Sequence, residues 1–143
     1  MIRHFVPHGV ATALLAAAVA IGVTASGLGS KAATAEPGDL AGSWSGGGSV
    51  SFATGKKESA RCRASFSKSG GSSYEMNATC ATASGKVSQS ASLQKLTANS
   101  YSGSFHNAEY NVSGSIRIRV NGNSQSVSLS SDSGSANFQL SRY

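Results

Sequence analysis

Ala60-Arg61-Cys62-Arg63-Ala64-Ser65-Phe66, a turn from Ser67 to Ser73, and Tyr74-Glu75-Met76-Asn77-Ala78-Thr79-Cys80 form the stretch on which the fold turns. Apolar residues stand at 60, 62, 64 and 66 and again at 74, 76, 78 and 80, with polar or charged residues mostly between them. Successive side chains of a strand point to opposite faces, so this two-residue period describes two half-buried strands. The Gly70-Gly71 pair in the intervening turn joins them as a hairpin. Placing Phe66 opposite Met76 sets Ala64 against Ala78 and Cys62 against Cys80, which brings both sulfurs together on the buried face. A disulfide between Cys62 and Cys80 is therefore expected, and closing so short a loop is worth about 3 kcal/mol on the chain-entropy account.

The same alternation recurs on either side. Trp44, Gly46, Gly48, Val50 and Phe52 share the inward face of a first strand, whose three consecutive glycines mark a bend or a close approach. After Cys80 a turn at Ala83-Ser84-Gly85 leads into Val87, Gln89, Ala91 and Leu93, and Leu96 breaks the parity as a bulge does. Tyr101, Gly103 and Phe105 form a fifth strand; setting Phe105 opposite Val112 and Gly103 opposite Gly114 pairs it with a sixth. Ile116, Ile118 and Val120 then point inward while Ser115, Arg117 and Arg119 point out. With Gly122-Asn123 at the centre of a two-residue turn, Ile118 meets Val127 and Ile116 meets Leu129. A turn over Ser131 to Gly134 and the inward Ala136, Phe138 and Leu140 close the series. The expected fold class is all-β: a single small antiparallel eight-stranded up-and-down barrel stapled by one disulfide, with a sandwich as the alternative that the same alternation allows. An outer-membrane barrel fits less well, because its apolar face would point to lipid and its strands would be longer.

Residues 1–35 read as a signal peptide. Arg3 and His4 give a short basic start, Val10 to Val23 is apolar, and Ala33-Thr34-Ala35 supplies small residues before a cleavage at Glu36, with Thr24-Ala25-Ser26 as an earlier alternative. The apolar run is shorter than the roughly 20 residues a spanning helix needs, so no permanent membrane anchor is expected. The domain is then residues 36–143. Removing the leader takes Arg3 and Lys31 from the 12 basic residues and none of the six acidic ones, which lowers the formal charge from +6 to +4. That modest charge, in an exported chain whose basic residues do not interleave with aromatic ones, argues against nucleic acid as a partner. Of residues 36–143, 27 are serine, a bias that suits disorder, but the regular placing of apolar residues argues for folded strands. An even pair of cysteines fits an oxidising compartment, and the expected location is periplasmic or secreted.

No catalytic set emerges. His106 stands near Glu109 in what reads as a polar hairpin tip, His106 to Tyr110, and a hydrolase centred on His106 and Glu109 is the least favoured of the functions weighed. Gly42-Ser43-Trp44-Ser45-Gly46 lacks the helix that a nucleophile elbow requires. The acidic residues are scattered singly and the cysteines have no histidine or cysteine partner nearby, so neither a metal nor any other cofactor is expected. Arg61 with Arg63, and Arg117 with Arg119, lie two apart on the outer faces of their strands, where each pair makes a guanidinium patch able to grip carboxylates or phosphates. Those four are the candidate anion- or partner-binding residues. The inward Gln89 and Gln125, and the hydroxyls of Tyr74 and Tyr101, are candidates for lining a pocket at a barrel mouth.

Leu40-Ala41-Gly42-Ser43-Trp44, followed by two cysteines in a small all-β chain, resembles the opening of the small exported bacterial calycin-type barrels, and in particular the periplasmic metalloprotease-inhibitor group with its Leu-x-Gly-x-Trp and single disulfide. The resemblance covers those five residues, the cysteine pair and the strand count. It implies a barrel whose leader, here Glu36 to Asp39, enters a protease cleft. The combined expectation is an exported, non-enzymatic binding or inhibitor-type module of a Gram-negative envelope, partnered by a periplasmic protein; the alternative is a structural surface component holding an anionic envelope glycan or lipid headgroups.

Overall fold

The computed structural model describes residues 38–143; the leader expected over residues 1–35, with Glu36 and Pro37, lies outside the described residues. Eight strands follow in order: β1 (Gly42–Phe52), β2 (Lys57–Gly70), β3 (Ser73–Thr82), β4 (Gly85–Thr97), β5 (Ser100–Asn107), β6 (Val112–Asn121), β7 (Ser124–Ser131) and β8 (Gly134–Arg142). Each pairs antiparallel with the next, and β8 returns to pair with β1, so the sheet is a closed barrel and the sandwich alternative falls away. Closure leaves no strand edge unpaired. Alternate residues of every strand point inward, giving a core in which Trp44, Phe66, Tyr74, Met76, Leu93, Tyr101, Ile116 and Phe138 are all buried.

The β2–β3 hairpin has the register its alternation dictates: Phe66 opposite Met76, Ala64 opposite Ala78, and Cys62 opposite Cys80, joined by an S–S bond of 2.00 Å. Its turn is tighter than the sequence suggests. β2 runs on to Gly70 through an irregularity between Lys68 and Gly70, and β3 starts at Ser73. The parity break at Leu96 is a shift of register between Lys95 and Thr97, with Leu96 turned out to solvent. Ile118 meets Val127 and Ile116 meets Leu129, as the Gly122-Asn123 turn requires.

The β5–β6 register differs from the expected one by two residues. Phe105 faces Gly114, Gly103 faces Ile116, and Asn107, not Phe105, faces Val112. The reason is steric: a Cβ on Gly114 would run into the Ser130 carbonyl of β7 and come within 2.8 Å of Cε1 of Phe105, so only glycine fits between that backbone and the phenyl ring. Phe138 does the same over its partner Gly48, where a Cβ would lie 2.7 Å from its ring. With the longer pairing, His106 is not in the turn but on β5, and the turn is made over residues 108–111, with Asn111 at a φ of 49°.

Candidate binding site

The two ends of the barrel are finished differently. One end gathers the start of β1, the end of β8, the start of β3 and the start of β5, and there the segment Gly38 to Ala41 folds in as a plug. Leu40 is fully buried, and its carbonyl accepts a hydrogen bond from Trp44 Nε1 at 2.9 Å. Tyr101 donates its hydroxyl to the Gly38 carbonyl at 2.6 Å, and Tyr74 donates to Asp39 Oδ1 at 3.2 Å. Burial first, and then the Asp39 carboxylate, push the Tyr74 phenol up to about 12. Arg142 spans the seam: its guanidinium lies 4.1 Å from the Trp44 ring centroid, Nη1 donates to the Ala41 carbonyl at 2.8 Å, and Nη2 donates to the Asp39 carbonyl. The tyrosine hydroxyls, expected at a barrel mouth, are thus spent on the plug. Gly38 and Asp39, half of the leader that the calycin resemblance assigns to a protease cleft, are held by this end of the barrel.

The other end is open. A cavity of about 590 Å³ reaches inward between the far ends of all eight strands. Its body is apolar, walled by Val50, Val87, Phe105, Val112, Leu129 and Phe138, with the Cys80 half of the disulfide in the wall. Phe52, on the inward parity of β1, stands at the rim and is 38% exposed. Tyr110 stands there too.

Polar residues line the cavity as well, Asn107, Ser131 and Ser135 on one part of the ring and Lys56, Glu58 and Ser84 on another. Glu58 falls on the inward parity of β2, ahead of Ala60 and Cys62, and its side chain is only 7% exposed. Oε1 accepts a hydrogen bond from the Ser84 hydroxyl at 2.5 Å and pairs with Lys56 Nζ at 3.3 Å; the lysine itself is 64% exposed. The Ser84 hydrogen bond, with Lys56 adding to it against the opposing effect of burial, holds the Glu58 carboxyl below its ordinary range. Oε2 is buried with no hydrogen-bond partner in the protein. Gln89 lines the cavity as the alternation anticipates, whereas Gln125 lies in the closed half, opposite Val120 and Leu140, 1% exposed and with neither amide atom partnered. Glu58, Lys56 and Ser84 carry no motif. The one signal is parity: Glu58 continues the even-numbered inward series of Ala60 and Cys62.

The outer faces hold the remaining candidates. Arg61 and Arg63 lie on β2 and Arg117 and Arg119 on β6, four strands apart in the ring of eight, so the barrel sets the two pairs on opposite flanks. Arg63 stands 5.9 Å from the Tyr143 ring centroid. Arg117 and Arg119 border a shallow groove with Leu96, Ser102, Ser126 and Ser128. His106 Nδ1 and Ser113 Oγ are 2.7 Å apart on the exposed face, while Glu109 accepts from the Ser88 amide at 3.3 Å, so His106 and Glu109 are engaged separately. Among the described residues no group of three or more His, Cys, Asp or Glu is placed to hold a metal ion.

No family model matches the chain, and no curated protein does. Solved structures do. A redesigned β-barrel, mFAP1, bound to DFHBI, superposes with a TM-score of 0.60 at 10% identity over 73% of this chain and 94% of that one. Another redesigned barrel, b11L5F_LGL, gives 0.61 at 11% identity over 77% and 99%. Rv2717c from M. tuberculosis gives 0.51 at 13% identity over 73% and 92%. At these identities the likeness is one of fold: an eight-stranded antiparallel barrel.

Proposed function

We propose that the chain is an exported, non-enzymatic binding module that takes a small, mainly apolar molecule into the open end of its barrel. The observation that carries this reading is the cavity: about 590 Å³, with an apolar body and a few polar side chains, at the end of the barrel opposite the Gly38 to Ala41 plug. That volume falls in the range of small-molecule sites, and a few placed polar groups on an apolar wall are how such sites fix orientation. The disulfide supports an oxidising compartment. The likeness in fold to mFAP1, a redesigned barrel bound to DFHBI, supports the reading.

The test is a fluorescence titration of the oxidised protein with N-phenyl-1-naphthylamine, beside an Ala136→Trp variant whose indole fills the cavity. Saturable one-to-one binding that the variant loses is the expected result. Binding that is unsaturable, or unchanged in the filled variant, would sink the reading.

A second reading, an anionic envelope glycan or lipid headgroup on the outer surface, draws support from the groove beside Arg117 and Arg119. It requires that vesicles containing phosphatidylglycerol bind the protein and that Arg117→Ala with Arg119→Ala abolish the binding. Retained binding in that variant removes this reading.

A further inference from the structure

We infer that the molecule held in the cavity carries a neutral hydroxyl or N–H group that donates a hydrogen bond to Glu58, the rest of it being apolar. This rests on the cavity reading and adds the chemistry of one end of the ligand. Its basis is the unequal use of the two carboxylate oxygens. Oε1 is satisfied by Ser84 and Lys56, whereas Oε2 is buried with no partner in the protein, on a residue that lines the cavity. A buried carboxylate oxygen left without a donor is costly, so a donor supplied by a ligand gains more there than at a solvated site.

Glu58 lines the cavity, so a donor seated there can meet the second oxygen while Ser84 and Lys56 keep the first. The site's own charges balance, Lys56 against Glu58. A cation would have to compete with Lys56 and give up its hydration inside an apolar wall, and an anion would meet the Glu58 carboxylate directly. A neutral donor incurs neither cost. The apolar wall of Phe105, Phe138, Leu129 and Val112 then takes the body of the molecule.

Three probes of one shape separate the possibilities: naphthalene, 2-naphthol and 2-naphthoate, titrated by calorimetry into the oxidised full chain. We expect 2-naphthol to bind about tenfold or more tightly than naphthalene, the gain of a hydrogen bond to a charged acceptor, and 2-naphthoate to bind most weakly. Glu58→Met, which keeps the length of the side chain and removes both oxygens, should erase the preference for 2-naphthol over naphthalene. Equal binding of naphthalene and 2-naphthol, or tighter binding of 2-naphthoate, overturns the inference and leaves the cavity reading standing. Binding of none of the three removes the cavity reading and the inference with it. The comparison among probes on the unsubstituted chain decides the matter even if Glu58→Met does not fold.

Discussion

Arg142 does three things at once at the plugged end: it stacks on Trp44 and donates to the carbonyls of Asp39 and Ala41. A planar guanidinium can do all three, and an ammonium cannot. Arg142→Ala should therefore cost about 2 kcal/mol or more in denaturant unfolding, at the scale of hydrogen bonds from a charged donor, and Arg142→Lys should recover only part of it. Gln125 presents the opposite case. Its amide is buried with neither end partnered, so Gln125→Met, close to it in shape, should raise stability by about 1 kcal/mol and the melting temperature by roughly 4–8 °C. Tyr74 supplies a pH dependence. Its phenol is raised to about 12, above its ordinary value of 10.0, so the folded state holds this proton more tightly than the unfolded chain does. The associated stability is whole below about pH 10 and is lost as the pH rises toward 12. Tyr74→Phe should remove that alkaline loss, measurable as the pH dependence of the unfolding midpoint.

At the scale of the hairpin, the contrast between β2–β3 and β5–β6 shows what alternation can and cannot specify. A slip of one residue turns every side chain to the wrong face, so parity excludes it; a slip of two leaves the pattern intact. In β2–β3 the facing cysteines break that degeneracy, and the register follows from the sequence. In β5–β6 two glycines, Gly103 and Gly114, sit at the same parity, and pairing them looks as good on paper as the pairing that occurs. What decides is the Phe105 ring lying in the space above Gly114, a packing fact with no local signature. Gly114→Val should accordingly force the β7 backbone at Ser130 and the Phe105 ring to give way, and a fall of about 2 kcal/mol in stability with a shifted aromatic ring spectrum is the expected outcome of such overpacking. Breaking the staple at the other hairpin, with Cys62→Ser, should cost about 3 kcal/mol in chemical denaturation for a bridge spanning 18 residues. An unchanged midpoint would show that the bridge adds nothing beyond its neighbours.

For the whole molecule, the strand count, the inward faces and the disulfide were legible because each depends on a period of two or on a facing pair. The site was not. Alternation is the same along a strand whether the barrel end it approaches is plugged or open, and so it cannot tell Tyr74 and Tyr101, which serve the plug, from Phe105 and Phe138, which wall the cavity. Glu58 was hidden in a similar way: it reads as one more surface charge until β2 is seen to begin at Lys57 and to carry the carboxylate inward. The arginine pairs were placed correctly on outer faces, yet only closure of the ring shows that they look in opposite directions.

The pairing of β8 with β1, and the reach of Arg142 across 103 residues to Asp39, set the order of events for a nascent polypeptide. Each of the first seven strands can find its successor as soon as both have emerged, but the seam between first and last has no partner until β8 is in place. Until then β1 is an open edge and its plug has no arginine to hold it. Such sequence-distant contacts slow folding, so until the last strand docks the barrel waits with one side of β1 unsealed and Trp44 without the guanidinium that covers its ring.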